Sequence, residues 1–328
     1  MRMIEPVARM LFLRSIPVLG DLPQEILATF AEHLIEVPHD RGAVLQSAGR
    51  PVDGVHIVVE GEAELRFENA APRTITTGAA IGFLESLAGQ STATVVARTP
   101  LLALELHIDA LVRILEENFT VVLHALRGTG RLLLAELMNG VRSDRLTLPM
   151  VPDWNPSAHP DRVERMLLLS RTLIFSRVEV EALGVLSRVC REVEFAAGER
   201  LWAAGEHASW IGVLLSGSTE GRRDGTTILH MQAGAVAGFL ESAGDLPRPV
   251  EMVAVEPISL LRIEISDLID VMEDDFRVSL EVLGAYSSVV LEIYRRVSQL
   301  PTREAIEAGG ASGTMRSGPA LATAVASS

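Results

Sequence analysis

The stretch AAIGFLESLAG at residues 79–89 returns as AVAGFLESAGD at residues 235–245, and the five residues GFLES are identical in the two places. Their leading glycines, Gly82 and Gly238, stand 156 positions apart. The same interval joins ARMLFL at 8–13 to ERMLLL at 164–169, Gly42 to Gly198, SAG at 47–49 to AAG at 203–205, Gly61 to Gly217 and Gly78 to Gly234. Past the motif the second copy carries one extra residue, so that Ala97 corresponds to Ala254 and Phe119 to Phe276. The chain is a tandem duplication of a domain-sized unit, with a period far too long for a solenoid.

Each copy has the same internal grammar. PQEILATFAEHL at 23–34 and VEVEALGVLSRV at 178–189 place apolar residues at helical spacing after short breaks. Glycine-punctuated strands follow, among them GVHIVVEGEAELRF in the first copy and WIGVLLSGSTEGRRDGTTILHM in the second, where Asp224-Gly225 marks a hairpin turn. A long helical stretch closes each copy, at 108–138 and at 266–297, with more apolar positions than one buried face needs. Between the copies, residues 139–160 carry four prolines and read as a linker on which Trp154 provides a docking point; residues 301–328, rich in Gly, Ala and Ser, are expected to be disordered.

Composition excludes several classes of chemistry. The 328 residues allow two ordinary domains, 48% of them apolar, and no stretch is long and uncharged enough for a membrane helix. Glu5, Arg9 and Arg14 interrupt the N-terminal apolar run, so no signal peptide is read there and the expected location is cytoplasmic. Cys190 is the single cysteine, which rules out an intrachain disulfide and cysteine-pair zinc sites. There is no lysine, so neither a Walker-type phosphate loop nor a Schiff-base lysine is available. A net charge of −14 without a basic cluster argues against direct nucleic-acid binding. The eight histidines show no metal-ligand spacing, His56 reads as a strand histidine rather than a haem ligand, and LSGST at 215–219 is not a nucleophile elbow. No catalytic residue, metal or cofactor is expected.

Helix, glycine-spaced strands, a short Gly-led segment inside the sheet and a long helix together resemble the cyclic nucleotide-binding domain superfamily, which includes the catabolite activator protein and the regulatory subunit of cAMP-dependent protein kinase. The resemblance rests on IPVLGDLPQEILATFAEHL at 16–34, on Gly42, Gly49, Gly61 and Gly78 with their partners in the second copy, and on IGFLESLAG; it covers most of the chain. It implies an α+β, mainly β fold of two tandem β-roll domains (double-stranded β-helix, jelly-roll-like), each flanked by helices. The implied boundaries are 1–138 and 161–300. Glycine suits the corners of so tightly wound a roll because positive φ costs it little.

GFLES falls where that family carries its phosphate-binding cassette, roughly Phe-Gly-Glu-Leu-Ala-Leu followed by Arg-Ala. There the helix start and the Arg hold the cyclic phosphate, and the Glu accepts from the ribose hydroxyl. The family's Glu is replaced by Phe83 and Phe239, and its Arg by Ser91 in the first copy, whereas LPRPV supplies Arg248 in the second. The candidate ligand residues are therefore Gly238, Phe239, Leu240, Glu241 and Arg248, with a degenerate set, Gly82, Phe83, Leu84, Glu85, Ser91 and Thr92, in the first copy. Glu85 and Glu241 stand where the family prefers a small residue, and a carboxylate there repels phosphate. Binding of cAMP or cGMP is thus disfavoured in both copies. Arg248 keeps two readings, a solvated loop arginine and a ligand arginine.

The expected role is a non-enzymatic regulator or sensor in which ligand or partner binding shifts the closing helix of each domain. The long helices offer a surface for a regulatory partner or a homodimer, with Val121, Val122, Ala125, Leu126, Leu132, Leu133, Leu134 and Leu137 as contact positions that intrachain packing would equally explain. Two alternatives stay open: a catabolite-activator-type transcription regulator without its own helix-turn-helix, and a ligand-free scaffold.

Overall fold

The computed structural model describes residues 4–68, 70–140, 146–147, 151 and 153–299. The expected disorder of 301–328 lies outside them. The chain is mixed α+β, dominated by antiparallel strands in two β-rolls with flanking helices. It divides into two compact units, Met1–Gly128 with Val290–Ser328, and Thr129–Val289.

The first unit opens with α1 (Pro6–Arg14), α2 (Pro17–Gly20) and α3 (Gln24–His33). The roll then comprises β1 (Ile35–His39), β2 (Val44–Gln46), β3 (Gly54–Glu60), β4 (Ala63–Arg66), β5 (Arg73–Ile75), β6 (Ala80–Ile81), the short helix α4 (Phe83–Ala88), β7 (Thr94–Ala97) and β8 (Leu101–His107). Helices α5 (Ile108–Glu117) and α6 (Phe119–Gly140) follow, and the unit boundary falls within α6. Two four-stranded sheets, ordered β1-β8-β3-β6 and β2-β7-β4-β5, enclose a core of Val58, Ile75, Ile81, Val95 and Leu101.

The second unit repeats the plan: β9 (Leu146–Thr147), α7 (Arg162–Arg171), α8 (Val180–Val189), β10 (Arg191–Phe195), β11 (Arg200–Trp202), β12 (Trp210–Ser216), β13 (Ser218–Arg223), β14 (Thr226–Gln232), β15 (Val236–Ala237), α9 (Phe239–Ala243), β16 (Glu251–Ala254), β17 (Ile258–Glu264), α10 (Ile265–Asp274) and α11 (Phe276–Gln299). Its sheets run β10-β17-β12-β15 and β11-β16-β13-β14-β9, which is the first unit's order with one added strand. That addition comes from the segment read as a linker: β9 pairs in parallel with β14. Nearby, Trp154 docks by donating its indole N–H to the Leu215 carbonyl at 3.0 Å.

The register of the duplication survives in backbone bonds. Gly78 donates to Val58 and Gly234 to Leu214, both at 2.8 Å, and Gly42 and Gly198 make the corresponding bonds to Ala97 and Ala254. Asp224 and Gly225, with φ of 50° and 76°, form the two-residue turn between β13 and β14 that their sequence signals.

One expectation changes. Each closing stretch is two helices rather than one, broken at Asn118 and Asp275, equivalent positions with extended φ of −141° and −137°. The break is stabilised locally by side chains, since the Asp275 carboxylate accepts from the Arg277 amide at 2.9 Å and Asn118 Nδ2 donates to the Ile114 carbonyl at 3.2 Å. A short polar residue offers the backbone such an alternative to helix. Val121, Val122, Ala125, Leu126 and Leu134 of α6 are buried within the chain. The side chains of Leu132, Leu133 and Leu137 lie outside the described set.

Candidate functional site

Both GFLES motifs form the same local object. Gly82 and Gly238 cap short helices α4 and α9 in the left-handed region, with φ of 88° and 82°. Glycine is required twice over: beyond the positive φ, a Cβ on Gly82 would come within 2.8 Å of the Gly54 carbonyl oxygen, and one on Gly238 would overlap Arg248 Nη1. The serine of each motif ties the helix to the neighbouring strand start. Ser86 Oγ donates to the Gly54 carbonyl at 3.3 Å, and Ser242 Oγ to the Trp210 carbonyl, the equivalent position, at 3.0 Å.

The two cassettes then diverge. In the second, Arg248 is drawn completely out of solvent, its side chain 0% exposed. Nη1 donates to Glu241 Oε1 at 3.1 Å, to the Gly238 carbonyl at 3.2 Å and to Ser242 Oγ at 3.4 Å, while Nη2 donates to the Trp210 carbonyl at 2.5 Å. The guanidinium carbon also lies 4.0 Å from the Trp202 ring centroid and 5.4 Å from that of Trp210, within range for cation–π attraction. Burial lowers the Arg248 pKa, and the adjacent Glu241 carboxylate opposes that shift. The arginine is not solvated. Its charge is neutralised by the motif's own glutamate.

Phe239 is buried and meets Tyr286 of α11 edge-on, with centroids 5.3 Å apart. Burial, followed by the negative charge of Glu241, pushes the Tyr286 phenol well above its ordinary value, so it stays neutral. Gly130 of α6, also in this unit, permits a second close approach: a Cβ there would lie 2.9 Å from Tyr286 Oη, 3.0 Å from the Leu240 carbonyl and 3.1 Å from Gly244 Cα. The cassette helix is thus packed against two long helices at once. Leu240 is half-buried between these contacts.

In the first cassette Ser91 replaces the arginine and Gln46 replaces Trp202. Gln46 Nε2 donates to Glu85 Oε1 at 3.2 Å, to Ser91 Oγ at short range and to the Ala93 carbonyl at 3.4 Å. Glu85 receives no cation from Ser91, and burial pushes its carboxyl pKa up, with hydrogen bonds from the backbone and Gln46 opposing. A folded value above the unfolded one makes this carboxyl stabilising below about pH 4.5, a contribution lost as pH rises through the folded value. Phe83, Leu84, Glu85 and Thr92 are half-buried where Phe239 and Glu241 are buried, so the first cassette is the more open.

Sequence reasoning selected Arg248 and the motif residues but missed Trp202, Trp210, Gln46 and Tyr286. The duplication itself carried the signal for two of them. In the repeat register, Gln46 faces Trp202 and Ser91 faces Arg248, so the pair of substitutions is coordinated. Among the described residues, no group of three or more His, Cys, Asp or Glu is placed to hold a metal, and no helix is long and apolar enough to cross a membrane.

The family profile of the cyclic nucleotide-binding domain matches residues 36–118 and 192–275. No curated protein matches the chain. Among solved structures, the regulatory domain of Toxoplasma gondii PKA with cAMP is 16% identical, with 88% of this chain and 95% of that one covered at a TM-score of 0.33. The regulatory subunit of a cAMP-independent protein kinase A from Trypanosoma brucei is 18% identical, covering 94% and 97% at 0.33. The N-terminal domain of a transcriptional regulator from Streptomyces coelicolor A3(2) is 20% identical, covering 38% of this chain and 93% of its own at 0.35.

Proposed function

Since this chain belongs to the cyclic nucleotide-binding domain family and carries its domain twice, we propose that it is a non-enzymatic regulatory protein whose second cassette is closed by its own side chains. The observation that carries this reading is the Glu241–Arg248 ion pair beneath Trp202. An incoming cyclic phosphate would have to displace a carboxylate already bonded to the only cassette arginine, and would meet that carboxylate's charge.

The output runs through the helices. Phe239 on Tyr286 and Leu240 beneath Gly130 couple the α9 conformation to the seating of α11 and α6. A partner protein that grips either helix would bias the cassette, and a change at the cassette would bias the helix, because the same contacts serve both. The second unit then acts as the fixed frame and the more open first cassette as the responsive half.

Titration of the purified protein with cAMP and cGMP tests the reading. Thermal midpoints should stay constant up to millimolar nucleotide. A saturable rise would show that a cassette still takes the family's ligand and would remove the basis for a self-closed site.

A further inference from the structure

Arg248 fills its cassette by donating to four acceptors: the Gly238 carbonyl, the Glu241 carboxylate, Ser242 Oγ and the Trp210 carbonyl. Every one of those acceptors has its counterpart in the first cassette, namely the Gly82 carbonyl, Glu85, Ser86 Oγ and the Gly54 carbonyl. The helix that carries them has the same sequence and the same capping geometry. Only the arginine is missing, since position 91 is serine; the neutral Gln46 amide reaches Glu85 instead.

The acceptor side of the first cassette is also left in surplus. Gln46 is only 6% exposed, yet its Oε1 has no hydrogen-bond partner and sits 3.4 Å from where a Cβ on Gly82 would be. Thr92 Oγ1, next to Ser91, is likewise buried without a partner. A buried, unpartnered acceptor costs roughly 1–3 kcal/mol, so such an atom is normally met by a donor from protein, water or ligand. Glu85 adds a carboxylate that Ser91 cannot neutralise. The paired substitutions put smaller side chains, Gln46 and Ser91, where the second cassette has Trp202 and Arg248.

From this juxtaposition we propose that the first cassette binds a cation, a guanidinium or primary ammonium group, with Glu85 as its counter-ion and the Gly82 and Gly54 carbonyls, Gln46 Oε1 and Ser86 Oγ as acceptors. The bound group takes the place that Arg248 holds from within the chain in the second cassette. The polarity is the reverse of a phosphate site: carbonyls and a carboxylate select a donor-rich cation and repel a phosphate. The net charge of −14 favours the approach of such a ligand. This inference rests on the reading of the chain as a regulator with a closed second cassette, for which it names the ligand of the open one.

The test uses the full chain with agmatine, methylguanidinium and a neutral-capped Gly-Arg-Gly peptide, each against sodium chloride at equal ionic strength, with cAMP as a separate arm. Agmatine at low millimolar concentration should raise the thermal midpoint saturably, by roughly 3 °C once it exceeds its Kd about tenfold. Glu85→Gln, which keeps the side-chain shape and removes the charge, should fold and show no response. Ser91→Arg, which supplies the guanidinium from within, should also lose it. A peptide effect larger than agmatine's identifies an arginine of a partner protein as the source; an agmatine effect at least as large identifies a free amine; both support the site. No saturable shift in the unmodified protein, or an equal shift in Glu85→Gln, overturns the proposal. A shift with cAMP would instead overturn the reading of the closed cassette, whatever the amines do.

Discussion

Arg248→Ala is expected to lower the stability of the second unit by about 3–5 kcal/mol, the usual cost of stranding one member of a buried ion pair. In a unit of this size that corresponds to a fall in its melting midpoint of roughly 10–15 °C. Three losses combine. Glu241, only 7% exposed, loses its cation; the Gly238 and Trp210 carbonyls each lose a donor; and Trp202 loses the guanidinium 4.0 Å from its ring centroid. The largest of these is the stranded carboxylate, which a second change can isolate. Arg248→Ala combined with Glu241→Ala should recover a good part of the loss, giving a coupling energy of about 2 kcal/mol in a double-mutant cycle read by chemical denaturation. A solvated loop arginine would cost less than about 0.5 kcal/mol and show no coupling.

Phe239→Ala should cost about 3–5 kcal/mol, because it removes a buried ring and its edge contact with Tyr286. The same substitution in the same pentapeptide of the first cassette, Phe83→Ala, should cost only about 1–2 kcal/mol, since Phe83 is half-buried and leaves a site open to water. The difference between two identical motifs is the useful quantity. Equal costs would mean that both cassettes are packed alike, against the asymmetry on which the cation site and the closed frame depend. Denaturation followed separately by Trp202 and Trp210 fluorescence, which reports the second unit, and by far-ultraviolet dichroism distinguishes the two units.

The architecture was legible because it is written twice. Gly42, Gly61, Gly78 and Gly82 sit at corners where positive φ is needed, and each has a partner one repeat away with φ between 76° and 90°. The chemistry of the cassettes was less legible. LPRPV places Arg248 between prolines in a loop, which in sequence suggests exposure; the residues that bury it, Trp202 and Trp210, lie some forty positions upstream on β11 and β12, brought together by sheet pairing rather than by proximity in the chain. Sequence places Glu241 where a carboxylate would repel a phosphate; the structure adds that this carboxylate is bonded to Arg248. The helix breaks at Asn118 and Asp275 were hidden for a different reason: apolar periodicity continues through both, and only the local hydrogen bonding of a short polar side chain interrupts it.

In the proposed reading the long helices respond to the second cassette through α9, which Glu241 holds by its ion pair with Arg248. Hydrogen exchange of the α11 amides at 276–289, in the unmodified protein with and without saturating cAMP and in Glu241→Ala, tests that claim most directly. Protection of this segment should be unchanged by cAMP, and Glu241→Ala should accelerate its exchange together with that of α9. Protection that changes on adding cAMP, or that is indifferent to Glu241, would contradict a cassette closed from within and coupled to its helix.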